Sequence, residues 1–367
     1  MSTHRKKHMH KTPARRASVL VAAVSSLSLL TAGCGDGDGP VDDDTATNAK
    51  NAEASPNAPT KTGLTVGFLP KQVNTPYFAV ADRGGERAVE SLGSTFKEVG
   101  TDQGADASGQ VSHINGLTEQ KADAIAVSAL DPDALCDALK KAMAKGVKVV
   151  TYDSDTKPEC RYAFVSPASA EDIAVRQLEL LGEQTGYQGD IAILSAAQTA
   201  TNQNAWISSI KRELEGPRYK EMRLVDVVYG DDEAEKSYQK AEELLREHGK
   251  LKGIISPTTN GIKAAAKYLS QSEYKGEVKL TGLGAPNDMR PYIKDGTVEA
   301  FLLWDPAKLG ELAGHAAVAL ASGQITGREG QMFLAGDMGW FQLTGNGVIT
   351  LGEPTVFDAG NIDDYDF

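Results

Sequence analysis

From Gly63 onward the chain alternates two patterns. Short apolar, β-branched runs (LTVGFL, STFKEV, DAIAVSAL, VKVVTYD) are separated by amphipathic stretches over Tyr77 to Leu92, Ser108 to Gln120 and Asp133 to Lys145. Runs such as VKVVTY and DIAILSA are apolar at nearly every position, as strands of a parallel sheet covered on both faces must be. After YAFVSP a second series begins: Glu171 to Thr185, DIAILSA, Ala205 to Leu214, RLVDVVYG, Ala234 to Glu247, LKGIISP, Ile262 to Leu269 and VKLTGLG. A helix over Asp288 to Lys294, the strand TVEAFLLW, a helix over Leu309 to Ser322 and strand-like tails such as GVITL complete it. This rhythm predicts an α/β fold of two doubly wound parallel-sheet lobes. Lobe one is expected over 63–163 plus 285–325, and lobe two over 164–284 plus 326–367. A three-segment hinge should then lie near Ala163 to Ser166, Gly284 to Pro286 and Gly323 to Thr326.

Residues 1–62 break the pattern. Arg5, Lys6, Lys7, Lys11, Arg15 and Arg16 precede an apolar run from Ser18 to Leu30 that ends in Thr31-Ala32-Gly33-Cys34. A basic start, a short apolar stretch and small residues before a cysteine read as a cleavable export signal with a lipidation site at Cys34, over residues 1–34. Thr31 stands where such signals more often carry leucine; a plain secretory signal is the alternative, and Arg15-Arg16 also permits twin-arginine export. Residues 35–62 contain almost no large apolar side chain, so they cannot offset their ordering entropy and read as a disordered tether. Within it Asp42, Asp43 and Asp44 lack the spaced ligands and glycine of a calcium loop, which leaves them a solvated charge run.

The 367 residues, 41% hydrophobic and 6% aromatic, suffice for two buried cores. Loss of the six basic residues of the signal takes the formal charge from −12 to −18. Phosphate backbones repel such a chain, and no basic, aromatic-interleaved stretch compensates, so nucleic acid is excluded as a partner. With Cys34 assigned to lipid, Cys136 and Cys160 remain as an even pair in an exported chain; a disulfide is expected, with two buried free thiols as the alternative. No catalytic cysteine is indicated, because His113, His248 and His315 are scattered.

In doubly wound sheets ligands bind beyond the carboxyl ends of the strands. The strand ends read Pro70-Lys71, Asp131, Asp153 with Asp155, Ala196 to Gln203, Pro257 to Asn260, Ala285 to Asn287 and Trp304-Asp305. The glycine-rich phosphate loops, GxSxG, HExxH and CxxC do not occur there, so nucleotide, nucleophilic and zinc chemistry lack a motif, and no cofactor or metal is expected. Carboxylates, amides and a lysine suit a small, neutral, hydroxyl-rich ligand, and Trp304, Phe78 and Tyr77 can cover the apolar faces of a sugar ring. The candidate set is Lys71, Asn74, Phe78, Asp153, Asp155, Asn202, Gln203, Pro257, Thr259, Trp304 and Asp305. Taken singly, Asp153 also suits a helix cap, Lys71 an ion pair and Trp304 the core.

Collinear blocks narrow the reading: GFLPKQVNTPYF, VSALDPDALCDALKKAMAKGVKVVTYDSDTKPEC, ATNQNAW, GIISPTT, GLGAPNDMRPYIKDGTVEAFLLWDP and the terminal NIDDYDF. With these the chain, from Leu64 to Phe367, resembles the periplasmic sugar-binding proteins of ABC importers of the ribose-binding type (type I), and more narrowly the rhamnose-binding and autoinducer-2-binding receptors. The resemblance implies a ligand held by Lys71 and Asp153 from lobe one and by Asn202-Gln203 and Pro257 to Thr259 from lobe two. Asp155 is expected to orient Asp153, and a Cys136–Cys160 bridge to hold the loop. Autoinducer-2 receptors of this kind carry an acid where Asn202 stands and alanine where Thr259 stands, which favours rhamnose or a related deoxyhexose. The resemblance further implies an extracytoplasmic monomer, lipid-anchored to the outer face of the bacterial cytoplasmic membrane, that hands its sugar to a permease. A sensory sugar-binding module is an alternative. Glycoside hydrolysis by Asp153 and Asp155 is disfavoured, because two residues apart they lie on one side of a substrate instead of flanking its bond.

Overall fold

The computed structural model describes residues 53–73, 75–102 and 106–367. The export signal, Cys34, Asn74 and residues 35–52 of the expected tether fall outside them. The first series runs β1 (Thr65–Leu69), α1 (Pro76–Ser91), β2 (Thr95–Glu98), α2 (Ala107–Glu119), β3 (Ala124–Val127), α3 (Cys136–Ala144), β4 (Lys148–Tyr152) and β5 (Ala163–Ser166). The second runs α4 (Ala170–Thr185), β6 (Gln188–Ser195), α5 (Thr201–Glu213), β7 (Glu221–Tyr229), α6 (Ala234–Glu247), β8 (Leu251–Ser256), α7 (Thr259–Ser270), β9 (Lys279–Gly282), α8 (Pro286–Lys294) and β10 (Ala300–Leu303). Then follow α9 (Pro306–Ser322), the hairpin β11 (Met332–Leu334) and β12 (Trp340–Gln342), β13 (Val348–Thr350) and β14 (Thr355–Asp358).

One parallel sheet has the order β13-β5-β4-β3-β1-β2, the other β7-β6-β8-β9. β10 continues the second sheet through a parallel bridge from Leu283 to Leu302, and β14 closes that edge antiparallel to β10. Both lobes thus follow the doubly wound order 2-1-3-4-5, whose switch point opens at the carboxyl ends of the first and third strands. Strand interiors supply the cores: every residue of β3 is buried, as are Val149 to Tyr152 of β4 and Gly253 to Ser256 of β8.

Two of the three crossings between lobes differ from the expected ones, while the first falls at Ser166 as expected. Because β5 and β13 join the first sheet and β10 extends the second, the chain crosses after Ser166, at Trp304-Asp305 and between Leu351 and Thr355. Residues 285–303 therefore belong to lobe two and 326–350 to lobe one, the reverse of the sequence reading. A βα rhythm states the order of elements but not which sheet edge a late strand joins. The tether also ends sooner than residue 62. Ser55 N donates to Gly323 O (3.1 Å), Gln324 Nε2 donates to Ala58 O (2.9 Å) and Lys61 N donates to Ser322 Oγ (2.9 Å), which ties this stretch to the end of α9.

α1 and α9 cross with their backbones in contact. A Cβ on Gly310 would sit 1.7 Å from Ala81 O, and one on Gly84 would sit 1.9 Å from Ala307 O. This close approach brings Tyr77 and Phe78, on the first turn of α1, beside Trp304, just ahead of α9. Both starts are locally encoded. Thr75 accepts from Phe78 N before Pro76, and Asp305 accepts from Ala307 N (2.9 Å) before Pro306.

Candidate functional site

One pocket between the lobes is lined by Lys71, Tyr77, Phe78 and Asp153 from lobe one, and by Asn202, Gln203, Trp206, Asp232, Pro257, Thr258, Thr259, Leu283 and Leu303 from lobe two, with Trp304 at the crossing. Lys71 follows β1, Asp153 β4, Asp232 β7, Pro257 β8 and Leu283 β9, while Asn202 and Gln203 open α5 after β6. Apart from Tyr77 on α1, the polar groups thus stand beyond the carboxyl ends of the strands, where sheet geometry leaves room for a ligand.

Asp153 is the hub of lobe one. It lies in the left-handed region with φ 62°, a conformation that Asp tolerates better than most side chains. Its Oδ1 accepts from the Tyr77 hydroxyl (3.0 Å) and its Oδ2 from Ser128 Oγ (2.8 Å), with Lys71 Nζ 3.5 Å away. Trp304 Nε1 donates to the Tyr77 hydroxyl (2.9 Å), which completes an indole–phenol–carboxylate chain. Burial, and after it the charge of Asp153, raises the Tyr77 hydroxyl well above its ordinary pKa, so Tyr77 stays a donor toward Asp153.

The lobes meet through polar groups. Lys71 Nζ donates to Asn202 Oδ1 (3.2 Å), and Asn202 Nδ2 donates to the main-chain carbonyl of Asp153 (3.3 Å). An aromatic wall flanks them: Tyr77 meets Phe78 edge-on with ring centroids 5.0 Å apart and Trp304 at 6.2 Å, and Trp206 lies 6.1 Å from Trp304. The cavity measures about 40 Å³, a few water-sized groups. In lobe two, Thr258 Oγ1 donates to Asp232 Oδ1, and Asn260 Nδ2 donates to Asp232 O (2.7 Å). Burial pushes the Asp232 carboxyl up, opposed by the Thr258 hydrogen bond and by the charge of Lys71.

Of the candidates, Lys71, Phe78, Asp153, Asn202, Gln203, Pro257, Thr259 and Trp304 converge here. Lys71 is also ion-paired and Trp304 also buried, so those two alternatives hold alongside a pocket position. Asp155 and Asp305 do not line this pocket. Asp155 forms a bidentate pair with Arg161, from Nε to Oδ1 and from Nη2 to Oδ2, both 2.6 Å, and Arg161 is only 1% exposed. The chain passes through a left-handed turn at Asp153, and the two acids take different partners, Tyr77 and Ser128 for Asp153 and Arg161 for Asp155. Asp155 therefore anchors its loop and does not orient Asp153. Asp305 is spent on the N-terminus of α9. Cys136 and Cys160 are joined in a disulfide, Cα atoms 5.3 Å apart, at the base of the same loop.

Sequence reasoning missed Ser128, Trp206, Asp232, Leu283 and Leu303, while Thr258 lies within the expected Pro257 to Thr259 stretch. Trp206 was findable, since it stands four residues after Asn202 on one helix face. Asp232 lies just beyond β7, where the adjacent acids Asp231 and Asp232 after RLVDVVYG are the signal that could have found it.

The model of the family described as "Periplasmic binding protein domain" matches residues 66–325. A solved sugar ABC transporter structure from Actinomyces odontolyticus is 43% identical, with a TM-score of 0.68, covering 84% of this chain and 100% of the other. An ABC transporter solute-binding protein from Clostridium phytofermentas with bound L-rhamnose is 37% identical, with a TM-score of 0.79, covering 83% and 98%. LsrB from Clostridium saccharobutylicum in complex with AI-2 is 26% identical, with a TM-score of 0.79, covering 83% and 100%.

Proposed function

Because this chain belongs to the periplasmic binding protein family, we propose that its interlobe pocket binds L-rhamnose or a related deoxyhexose and that the protein, held by lipid on Cys34, delivers the sugar intact to an ABC permease as a monomer. The chain is an extracytoplasmic sugar-binding protein of the ABC-importer type and not an enzyme, as its family and relatives establish.

The observation that carries the finer reading is the meeting of Lys71, Asp153, Asn202, Gln203 and Thr259 beside four aromatic rings in one pocket. An ammonium, a carboxylate, two amides and a hydroxyl can serve both the donor and the acceptor sides of several hydroxyls, while the rings cover apolar ring faces. The relative that holds L-rhamnose points the same way. Asn202 both donates and accepts, and the Thr259 hydroxyl adds a partner while narrowing the pocket. Both choices favour a pyranose over autoinducer-2.

Binding proceeds by hinge closure at the three crossings. Entry of a ring requires the lobes to part and the bonds from Lys71 to Asn202 and from Asn202 to Asp153 to yield to ligand hydroxyls. The sugar then favours the closed state by its differential affinity for it. Calorimetry with L-rhamnose should show saturable binding that Asp153→Asn and Gln203→Ala each weaken at least tenfold. Binding unchanged in both variants removes the site. A thermal-shift panel of L-rhamnose, D-ribose and autoinducer-2 ranks the ligands, and a larger shift with autoinducer-2 overturns the sugar.

A further inference from the structure

Lobe two presents a second carboxylate to the pocket, in a backbone conformation that side chains rarely adopt. Asp231 and Asp232 both lie in the left-handed region, with φ 52° and 59°. Two such residues in succession are uncommon, and each carries an energetic penalty that the surrounding structure must offset. Three main-chain carbonyls do so: Asp231 N donates to Ala196 O (3.1 Å), Glu233 N to Gly230 O (2.9 Å) and Asn260 Nδ2 to Asp232 O (2.7 Å). The outcome of this turn is the placement of the Asp232 carboxylate in the pocket that also holds Lys71, Asp153 and Thr259.

Among the described residues only one of its oxygens takes a hydrogen bond. Thr258 Oγ1 donates to Oδ1, while among the described residues no donor reaches Oδ2. A carboxylate has roughly four acceptor positions, so a half-satisfied one at a cavity wall keeps acceptor capacity for whatever enters. Thr258 orients the group and thereby aims the remaining oxygen.

We infer that Asp232 is a specificity-determining ligand contact of lobe two, accepting a hydrogen bond from a hydroxyl of the bound sugar on the lobe-two side of the pocket, with Asp153 on the lobe-one side. The inference rests on the pocket being the sugar site. Two carboxylates then bracket one ammonium, Lys71, and the pocket grips a ring that offers a hydroxyl donor toward each lobe. Two acids against a single base also repel anionic ligands, so the class admitted is neutral polyhydroxylated rings, with uronic acids turned away.

Calorimetry on the full chain with L-rhamnose and with D-galacturonate tests this, using Asp232→Asn, Asp232→Ser and Thr258→Val beside Asp153→Asn and Gln203→Ala. Asn keeps the size and the left-handed tolerance of Asp, and thermal melting reports whether each variant folds. The expected result is at least tenfold weaker rhamnose binding in both Asp232 variants with melting unchanged, and a narrowed preference for rhamnose over galacturonate. Thr258→Val, which leaves the carboxylate in place, should weaken rhamnose binding less than Asp232→Asn. Rhamnose binding at wild-type strength in Asp232→Asn, with Asp153→Asn and Gln203→Ala impaired, overturns this inference alone. Wild-type binding in all of them overturns the site as well.

Discussion

At the scale of single residues, what matters is which buried polar groups are satisfied and by what. Lys71, Asp153, Asn202 and Gln203 were legible in the sequence because they end apolar runs, and a polar group there has few places to go except a cleft. Asp155 was misread because Arg161 takes both its oxygens, a pairing with no sequence signature. Asp82 is a different case. It is buried on α1, its Oδ1 accepts from the Tyr152 hydroxyl (2.8 Å), and Glu98 is its acidic neighbour. Burial pushes its carboxyl up to about 8. The folded state therefore holds a proton that the unfolded chain releases near pH 4, and the associated stability is present below that pH and lost as pH rises toward 8. Asp82→Asn removes this dependence. Denaturant titrations should show the variant gaining on the wild type by at least ~2 kcal/mol between pH 5 and pH 8; parallel pH profiles would refute the assignment.

At the scale of elements, the contact between α1 and α9 sets the position of the aromatic wall. The sequence announced both helices through their amphipathic stretches, without their caps and without any sign that they touch through glycine. Gly310→Ala must separate the helices, because the new methyl falls on Ala81 O. A loss of about 3 kcal/mol or more is expected, with weaker sugar binding as Tyr77 and Trp304 move apart. Gly116→Ala is the control: it lies within α2 with nothing near its Cβ, and should be neutral or stabilise by about 0.5–1 kcal/mol. Thermal melts of the pair decide this, and equal shifts would discount the close crossing. The Cys136–Cys160 bridge spans a sequence separation of 24 and holds the loop that follows Asp153. Its reduction should lower stability by about 3 to 4 kcal/mol in the chain-entropy model, measured by denaturation with and without reductant.

At the scale of the whole molecule, the proposed function depends on two lobes sharing a pocket across three crossings. Saturating sugar at a hundred times its Kd should stabilise the fold by about 2.7 kcal/mol, visible as a concentration-dependent rise in Tm. A Tm indifferent to sugar would sever the pocket from the fold's energetics. The sequence by itself determined a helix-covered parallel α/β fold in two successive series, since strands apolar on both faces need helices on either side, and it determined most of the residues at the strand ends. Only tertiary structure decided which sheet β10 and β13 join, where the chain crosses between lobes, and that Asp232 and Asp153 line one pocket from the two lobes. Periodicity is a local property of the chain, whereas sheet edges, helix crossings and the meeting of two lobes are set by contacts between residues far apart in sequence, whose energies no short window contains.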